Sequence, residues 1–315
     1  MSFERLGSLL PDEWQRSTAH KTLSEWREIL PQLQGLHLSE DAVRRAEPLL
    51  VHLRRQSEIC GHCQGYANCG KTGDERGMAD QVQEYGGELV VQTSYCEPFQ
   101  KHQEQARFQH YQVYSSQSPY ERTLTFANFP AQQRQSRPQL FQVARQLSDQ
   151  YEPGAESKGL YIFGPAGTGK THLLQAMVHR FEERQVPCIM IRAEALFDRL
   201  RNMIGEGAEI EPVLHAFSTV PVLAIDEIGQ ERANEFTLEK LFRIINQRFS
   251  ARVPTLFASN YAPPELYSRL PVDLLSIIDP LKSRLIGMSR VGDLSGDDHR
   301  LATMDLLDTD RRRHT

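Results

Sequence analysis

The sequence predicts an α/β protein: a parallel sheet flanked by helices, preceded by a small, mostly helical domain that carries a cysteine cluster. Three observations predict it. Short apolar runs at 159–163 (GLYIF), 188–192 (CIMIR), 221–225 (PVLAI) and 254–258 (PTLFA) are separated by helical material, the pattern of buried strands in a doubly covered sheet. The first run leads directly into a glycine-rich loop and an apolar helix, HLLQAMVHRF. Four of the five cysteines, Cys60, Cys63, Cys69 and Cys96, fall upstream within 37 residues, while Cys188 stands alone in an apolar run.

Taken in order, residues 12–58 read as helical, with Val43, Ala46, Leu50 and Leu53 on one face and Pro48 as a potential kink. Residues 59–99 hold the cysteines, several glycines and an alternating stretch, Glu88 to Gln92 with Tyr95, that suits a short hairpin. From Lys101 to Arg122 the chain is rich in Gln and Ser, as in a linker or a solvated helix. The expected organisation is therefore 1–100, a linker at 101–122, and an α/β domain over 123–315. Its clearest helix is 236–249, where Leu238, Leu241, Phe242, Ile245 and Phe249 recur at helical spacing. At 315 residues, with 39% hydrophobic content, the chain has ample material for two cores.

Composition also excludes classes. No apolar stretch approaches the roughly 20 residues that cross a bilayer, and the first 15 residues lack the apolar centre of a signal peptide. A cytoplasmic protein with no membrane partner is expected. The net charge of −5 gives no global basic field, so contact with a nucleic acid would need a local patch. In a chain without an export signal, clustered cysteines point to metal before disulfides.

The loop Gly164-Pro165-Ala166-Gly167-Thr168-Gly169-Lys170-Thr171 matches the Walker A pattern in its required strand-to-helix context. Its glycines let successive N–H groups turn inward and the helix N-terminus adds positive potential, so main chain cradles a polyphosphate. Lys170 would reach the β and γ oxygens, and Thr171 supplies a hydroxyl for Mg²⁺. About 55 residues downstream, Val222-Leu-Ala-Ile ends in Asp226 and Glu227. At the carboxyl edge of a parallel sheet these acids face the loop, Asp226 to hold Mg²⁺ and Glu227 to orient and deprotonate water. The next strand ends in Asn260, placed to position water or sense the γ-phosphate. Arg284, in LKSRLIGMSR, is a candidate to stabilise transition-state charge in a neighbouring subunit. Cys60-x2-Cys63, Cys69 and Cys96 match a closed tetrahedral zinc site whose metal would help fold the module.

These residues resemble a family. ICGHCQGYANCG, YCEPF, TLTFANFP, GLYIFGPAGTGKTHLL, VLAIDEIG, PTLFASNYAPPEL, LKSRLIGMSR and GDDHR are similar to the bacterial replicative-helicase loaders of the primosome, AAA+ ATPases of DnaC/DnaI type. The resemblance implies an N-terminal zinc domain that contacts a DnaB-type helicase hexamer, and a C-terminal domain that binds ATP and single-stranded DNA and self-associates in the ATP state. It makes Gly164–Thr171 the nucleotide loop, Asp226 and Glu227 the Walker B acids, Asn260 sensor 1, Arg284 the arginine finger, and Arg300 a candidate second sensor. Relatives use a histidine ligand where this chain has none between Gly70 and Tyr95, which makes Cys69 the replacement. Rival readings are an IstB-type transposition helper, which gives no reason for the zinc module, an adaptor that binds ATP only structurally, and a small-molecule kinase, for which no substrate lid is visible.

Overall fold

The computed structural model describes residues 20–296. Arg300, the candidate second sensor, lies outside the described residues. The chain divides into two compact units, Met1–Glu104 and Gln105–Thr315.

In the first unit the single helical reading of 12–58 resolves into α1 (Leu23–Ile29), α2 (Glu40–Arg45) and α3 (Glu47–Gly61). Thr22 and Glu25 close a capping box on α1, and the Ser39 side chain caps α2 by accepting from the Ala42 amide. Pro48 starts α3 instead of kinking it: in the first turn its missing N–H leaves no hydrogen bond unmade. Trp26, Leu30, Leu33, Val43, Leu50 and Leu53 form the core. Strands β1 (Met78–Tyr85) and β2 (Glu88–Tyr95) make an antiparallel hairpin longer than the one expected, with Val82, Leu89 and Val91 packed on that core. Gly86 and Gly87 both have positive φ, as the tightest twisted hairpin turns require. Helix α4 (Glu97–Gln112) runs through the division between the units, so 101–112 is helical.

The second unit contains α5 (Ala131–Ser136), α6 (Pro138–Gln150), β3 (Gly159–Phe163), α7 (Lys170–Glu183), β4 (Cys188–Arg192), α8 (Ala193–Gly205), α9 (Glu211–Thr219), β5 (Val222–Asp226), α10 (Glu235–Ala251), β6 (Thr255–Ser259), α11 (Leu275–Met288) and β7 (Ser289–Asp293). Among the described residues its five strands are parallel throughout, in the order β4-β5-β6-β3-β7. Alternate residues serve opposite faces. Tyr161, Ile189, Leu223, Ile225 and Phe257 join one core with α8 to α11, while Leu160, Ile162, Met190, Ala224 and Leu256 join the other with α6 and α7. The four apolar runs are thus strands within one residue of their expected bounds. Strand β7 was not legible, because Ser289-Arg-Val-Gly-Asp is mostly exposed edge strand and carries no apolar run.

Candidate nucleotide site

Parallel pairing brings the carboxyl ends of the strands to one edge, where α/β sheets bind their ligands. Phe163 is in register with Ser259, and Arg192 with Asp226. The phosphate loop leaves β3 at Gly164, where an added Cβ would lie 2.5 Å from the Leu294 carbonyl oxygen. Gly169, in the left-handed conformation, caps α7. The Lys170 ammonium is buried and donates to the Pro165 carbonyl at 2.6 Å, and the Thr168 hydroxyl donates to the same oxygen at 3.0 Å.

Across the loop, the Thr171 hydroxyl donates to Asp226 Oδ2 at 2.9 Å, and Asp226 Oδ1 accepts from the Glu227 amide at 2.9 Å. Asp226 is 2% exposed. Burial pushes its pKa up to about 6, against the hydrogen bond from Thr171 and with the help of the Glu227 charge. Glu227 is exposed, with φ +56°. Lys170, Thr171, Asp226, Glu227 and Asn260 line one cleft of about 600 Å³, together with Ala166, Gly167 and Gly169. Their oxygens form a hard donor set that fits Mg²⁺. Arg284 is not among the residues lining that cleft. On α11 it is half-buried, donating to Asn246 Oδ1 at 2.5 Å and to the Pro280 carbonyl at 3.2 Å, with its guanidinium 4.9 Å from the Phe242 ring centre.

Sequence reasoning missed several residues at this cleft, Glu121, Gln133, His172 and Arg192 among them. Arg192, at the end of β4, pairs with the buried Glu121 and lies 3.8 Å from Glu227. A charged residue closing an apolar strand was the one available signal. Gln133 donates to the Thr168 carbonyl. His172 Nε2 donates to the Thr125 carbonyl at 3.1 Å and to Asn128 Oδ1 at 3.0 Å, and burial lowers its pKa. These contacts hold the TLTFANFP segment against the phosphate-loop helix, and no local sequence pattern announces them.

The cysteines are arranged less fully. Cys60 and Cys63 are exposed at the end of α3, joined by the hydrogen bond from the Cys63 amide to the Cys60 carbonyl at 3.1 Å. The Cys69 thiol lies below its ordinary pKa because the Gly77 amide donates to it, with the Lys71 amide and the Arg76 and Lys71 charges adding to the effect. The Cys96 amide donates to the Gly77 carbonyl at 2.8 Å, so Cys69 and Cys96 flank one glycine. The donor chemistry suits zinc in kind, but among the described residues no group of three or more Cys, His, Asp or Glu is gathered for a metal. Cys188 is fully buried and its pKa is raised well above that of an ordinary thiol, as a core residue requires.

A parallel sheet with a phosphate loop after its inner strand and an acid after the neighbouring strand but one defines a P-loop ATPase fold of AAA+ type. The family of the bacterial DnaA ATPase domain matches residues 120–285, more than half of the chain, and the chain belongs to that family. The replicative helicase loader DnaI of Bacillus subtilis (strain 168) is 30% identical over 132 residues, 42% of this chain and 42% of that protein. The chromosomal replication initiator protein DnaA of Aliarcobacter butzleri (strain RM4018) is 29% identical over 133 residues, 42% of this chain and 28% of that protein. The chain therefore spans under half the length of these curated relatives. A crystal structure of DnaI superposes with a TM-score of 0.51 at 23% identity, covering 58% of this chain and 94% of that one, a likeness of fold. The resemblance to DnaI-type helicase loaders is borne out. No described helix is long and apolar enough to cross a membrane.

Proposed function

We propose that the chain is an ATP-hydrolysing loader of the replicative DNA helicase, acting at replication initiation or restart in the cytoplasm. The observation that carries the reading is the 2.9 Å contact between Thr171 and Asp226, which joins the phosphate loop to the acid strand in one cleft. The family match and the DnaI relative support the choice of replication over transposition or metabolism.

In this reading the loop amides from Gly164 to Gly169 hold the phosphates, and Lys170 exchanges the Pro165 carbonyl for a β or γ oxygen. Thr171 and Asp226 hold Mg²⁺, which when bound supplies charge stabilisation to the β and γ oxygens. Glu227, drawn from Arg192, orients the attacking water and takes its proton. Asn260 positions that water or senses the γ-phosphate. Arg284 completes the site of a second copy, so self-association in the ATP state governs the rate. The first unit holds a DnaB-type helicase hexamer, with Cys60, Cys63, Cys69 and Cys96 as zinc ligands. The second unit also engages single-stranded DNA.

Retention of the replicative helicase on the immobilised full chain, with ATP and with ADP, tests the reading alongside ATPase rate and elemental zinc analysis. The expected results are helicase capture, a turnover that rises with protein concentration and single-stranded DNA and falls on Glu227→Gln, and about one zinc per chain. No capture in either nucleotide overturns the loader assignment, and a zinc-free, folded protein overturns the metal.

A further inference from the structure

Four non-glycine residues among those described have positive φ: Gln185, Glu227, Arg252 and Tyr267. Gln185 and Arg252 follow the ends of α7 and α10, where a left-handed residue closes a helix. Tyr267 follows the short 3-10 helix Pro263–Glu265, in a turn closed by the Ser268 amide on the Glu265 carbonyl at 3.1 Å, and Glu227 closes no helix. Such a conformation costs about 1–3 kcal/mol in a non-glycine residue and persists only where the surroundings impose it.

What surrounds them is a single hydrogen-bonded link. The turn that begins at Glu227 is closed by the Gln230 amide donating to the Glu227 carbonyl at 3.1 Å. It is pinned to β6 by the Ile228 amide on the Ala258 carbonyl at 3.1 Å and the Ser259 hydroxyl on the Ile228 carbonyl at 2.7 Å. At its far end Glu231 folds back, one carboxylate oxygen accepting from the Gly229 amide at 2.7 Å and the other from the Tyr267 hydroxyl. Glu231 and Tyr267 are 7% and 8% exposed, and neither lines the nucleotide cleft. The fit between the two loops is close, because a Cβ on Gly229 would lie 2.5 Å from Leu266 Cδ1. A buried carboxylate is costly unless its oxygens are satisfied. Burial pushes the Glu231 pKa up, while Tyr267 and the local amides hold it down. Its partners are the turn holding Glu227 and the segment after β6.

We propose that Glu231 and Tyr267 are positioning residues for hydrolysis: their buried hydrogen bond locks the turn that aims the Glu227 carboxylate at the attacking water. The proposal rests on the ATPase reading of the cleft. Neither side chain touches nucleotide, so losing the link leaves binding intact and misplaces the general base, and a displacement near 1 Å at a reacting group can lower a rate about a hundredfold.

The test is Tyr267→Phe, which removes only the donor, and Glu231→Gln, which keeps the shape but cannot accept from both partners in the same way. Turnover and KM for ATP are measured on the full chain, normalised to active sites by titration with a fluorescent ADP analogue, so that partial unfolding does not count as lost rate. Both variants are expected to lose turnover about tenfold or more, with KM and analogue affinity within about twofold of the parent. Variants whose normalised turnover matches the parent, or whose affinity falls along with it, overturn the positioning role alone. A parent chain that binds the analogue and never hydrolyses ATP overturns the ATPase reading and this proposal with it.

Discussion

Asp226 carries a conflict between folding and function. Its carboxylate lies 2% exposed beside Glu227, and burial raises its pKa from 3.8 to about 6. A folded-state pKa above the unfolded value means that the native state holds the extra proton between pH 4 and 6. Stability is therefore greatest below pH 4 as far as this group is concerned, and it is lost as pH rises through about 6. At pH 7.5 without nucleotide the burial of that charge costs about 2–3 kcal/mol, because each tenfold change in proton affinity is worth about 1.4 kcal/mol. Asp226→Asn is expected to melt several degrees above the parent at pH 7.5, with the advantage vanishing by about pH 4, while Mg²⁺-dependent ATPase activity is lost. Melting curves across that pH range check it, and an Asn variant less stable at pH 7.5 contradicts the account. The sequence made this residue legible through its place after VLAI, and Arg192 through its place at the end of CIMIR, but Gln133 and His172 reach the cleft through tertiary contacts that no local pattern encodes.

At the scale of elements, apolar runs announce buried strands, while what ties elements together at their far ends is hidden. Arg248, on α10, is fully buried and carries no ion pair among the described residues. It donates to Thr255 Oγ1 at 2.8 Å, to the Val220 carbonyl at 2.6 Å, the Pro254 carbonyl at 2.7 Å and the Phe217 carbonyl at 3.2 Å. It thus satisfies the carbonyls at the end of α9 and the entry to β6, at the sheet end away from the phosphate loop. Its place seven residues after Leu241 and four after Ile244 puts it on the buried face of the helix, but helical periodicity does not reveal the distant carbonyls that satisfy an arginine there. Arg248→Met keeps much of the volume and strands those acceptors, at about 1–3 kcal/mol for each group left unpaired. The expected result is a chemical-denaturation midpoint well below the parent's, with ATP-analogue affinity unchanged per folded molecule. An unchanged midpoint would show that water replaces the guanidinium without loss.

For the molecule as a whole, composition and packing draw the start of the ATPase unit at different places. The Gln- and Ser-rich stretch at 101–122 reads as a linker or solvated helix, yet its second half belongs to the packing of Gln105–Thr315. Tyr111 is 8% exposed within the core shared by α8 to α11, its hydroxyl 3.3 Å from Thr219 Oγ1, and the Tyr114 ring sits 6.0 Å from that of Phe217. The Ser116 amide donates to the Met190 carbonyl at 2.8 Å and the Ser115 hydroxyl accepts from the Met190 amide at 3.0 Å, covering the open edge of β4. Glu121 then pairs with Arg192 at the cleft. A few anchoring residues in a polar stretch barely change its composition, so composition gives no sign of this packing. A truncation beginning at Thr123 removes two packed aromatic rings, each contributing about 1.5–3 kcal/mol, and uncovers an edge strand that can pair with other chains. Residues 105–315 are expected to be monomeric without nucleotide and to bind an ATP analogue with the affinity of the full chain. Residues 123–315 should melt at least about 10 °C lower and aggregate as they do. Scattering-detected melting of the two truncations decides it: equal midpoints would mean that 105–122 is a tether after all, and would return the start of the ATPase unit to Thr123.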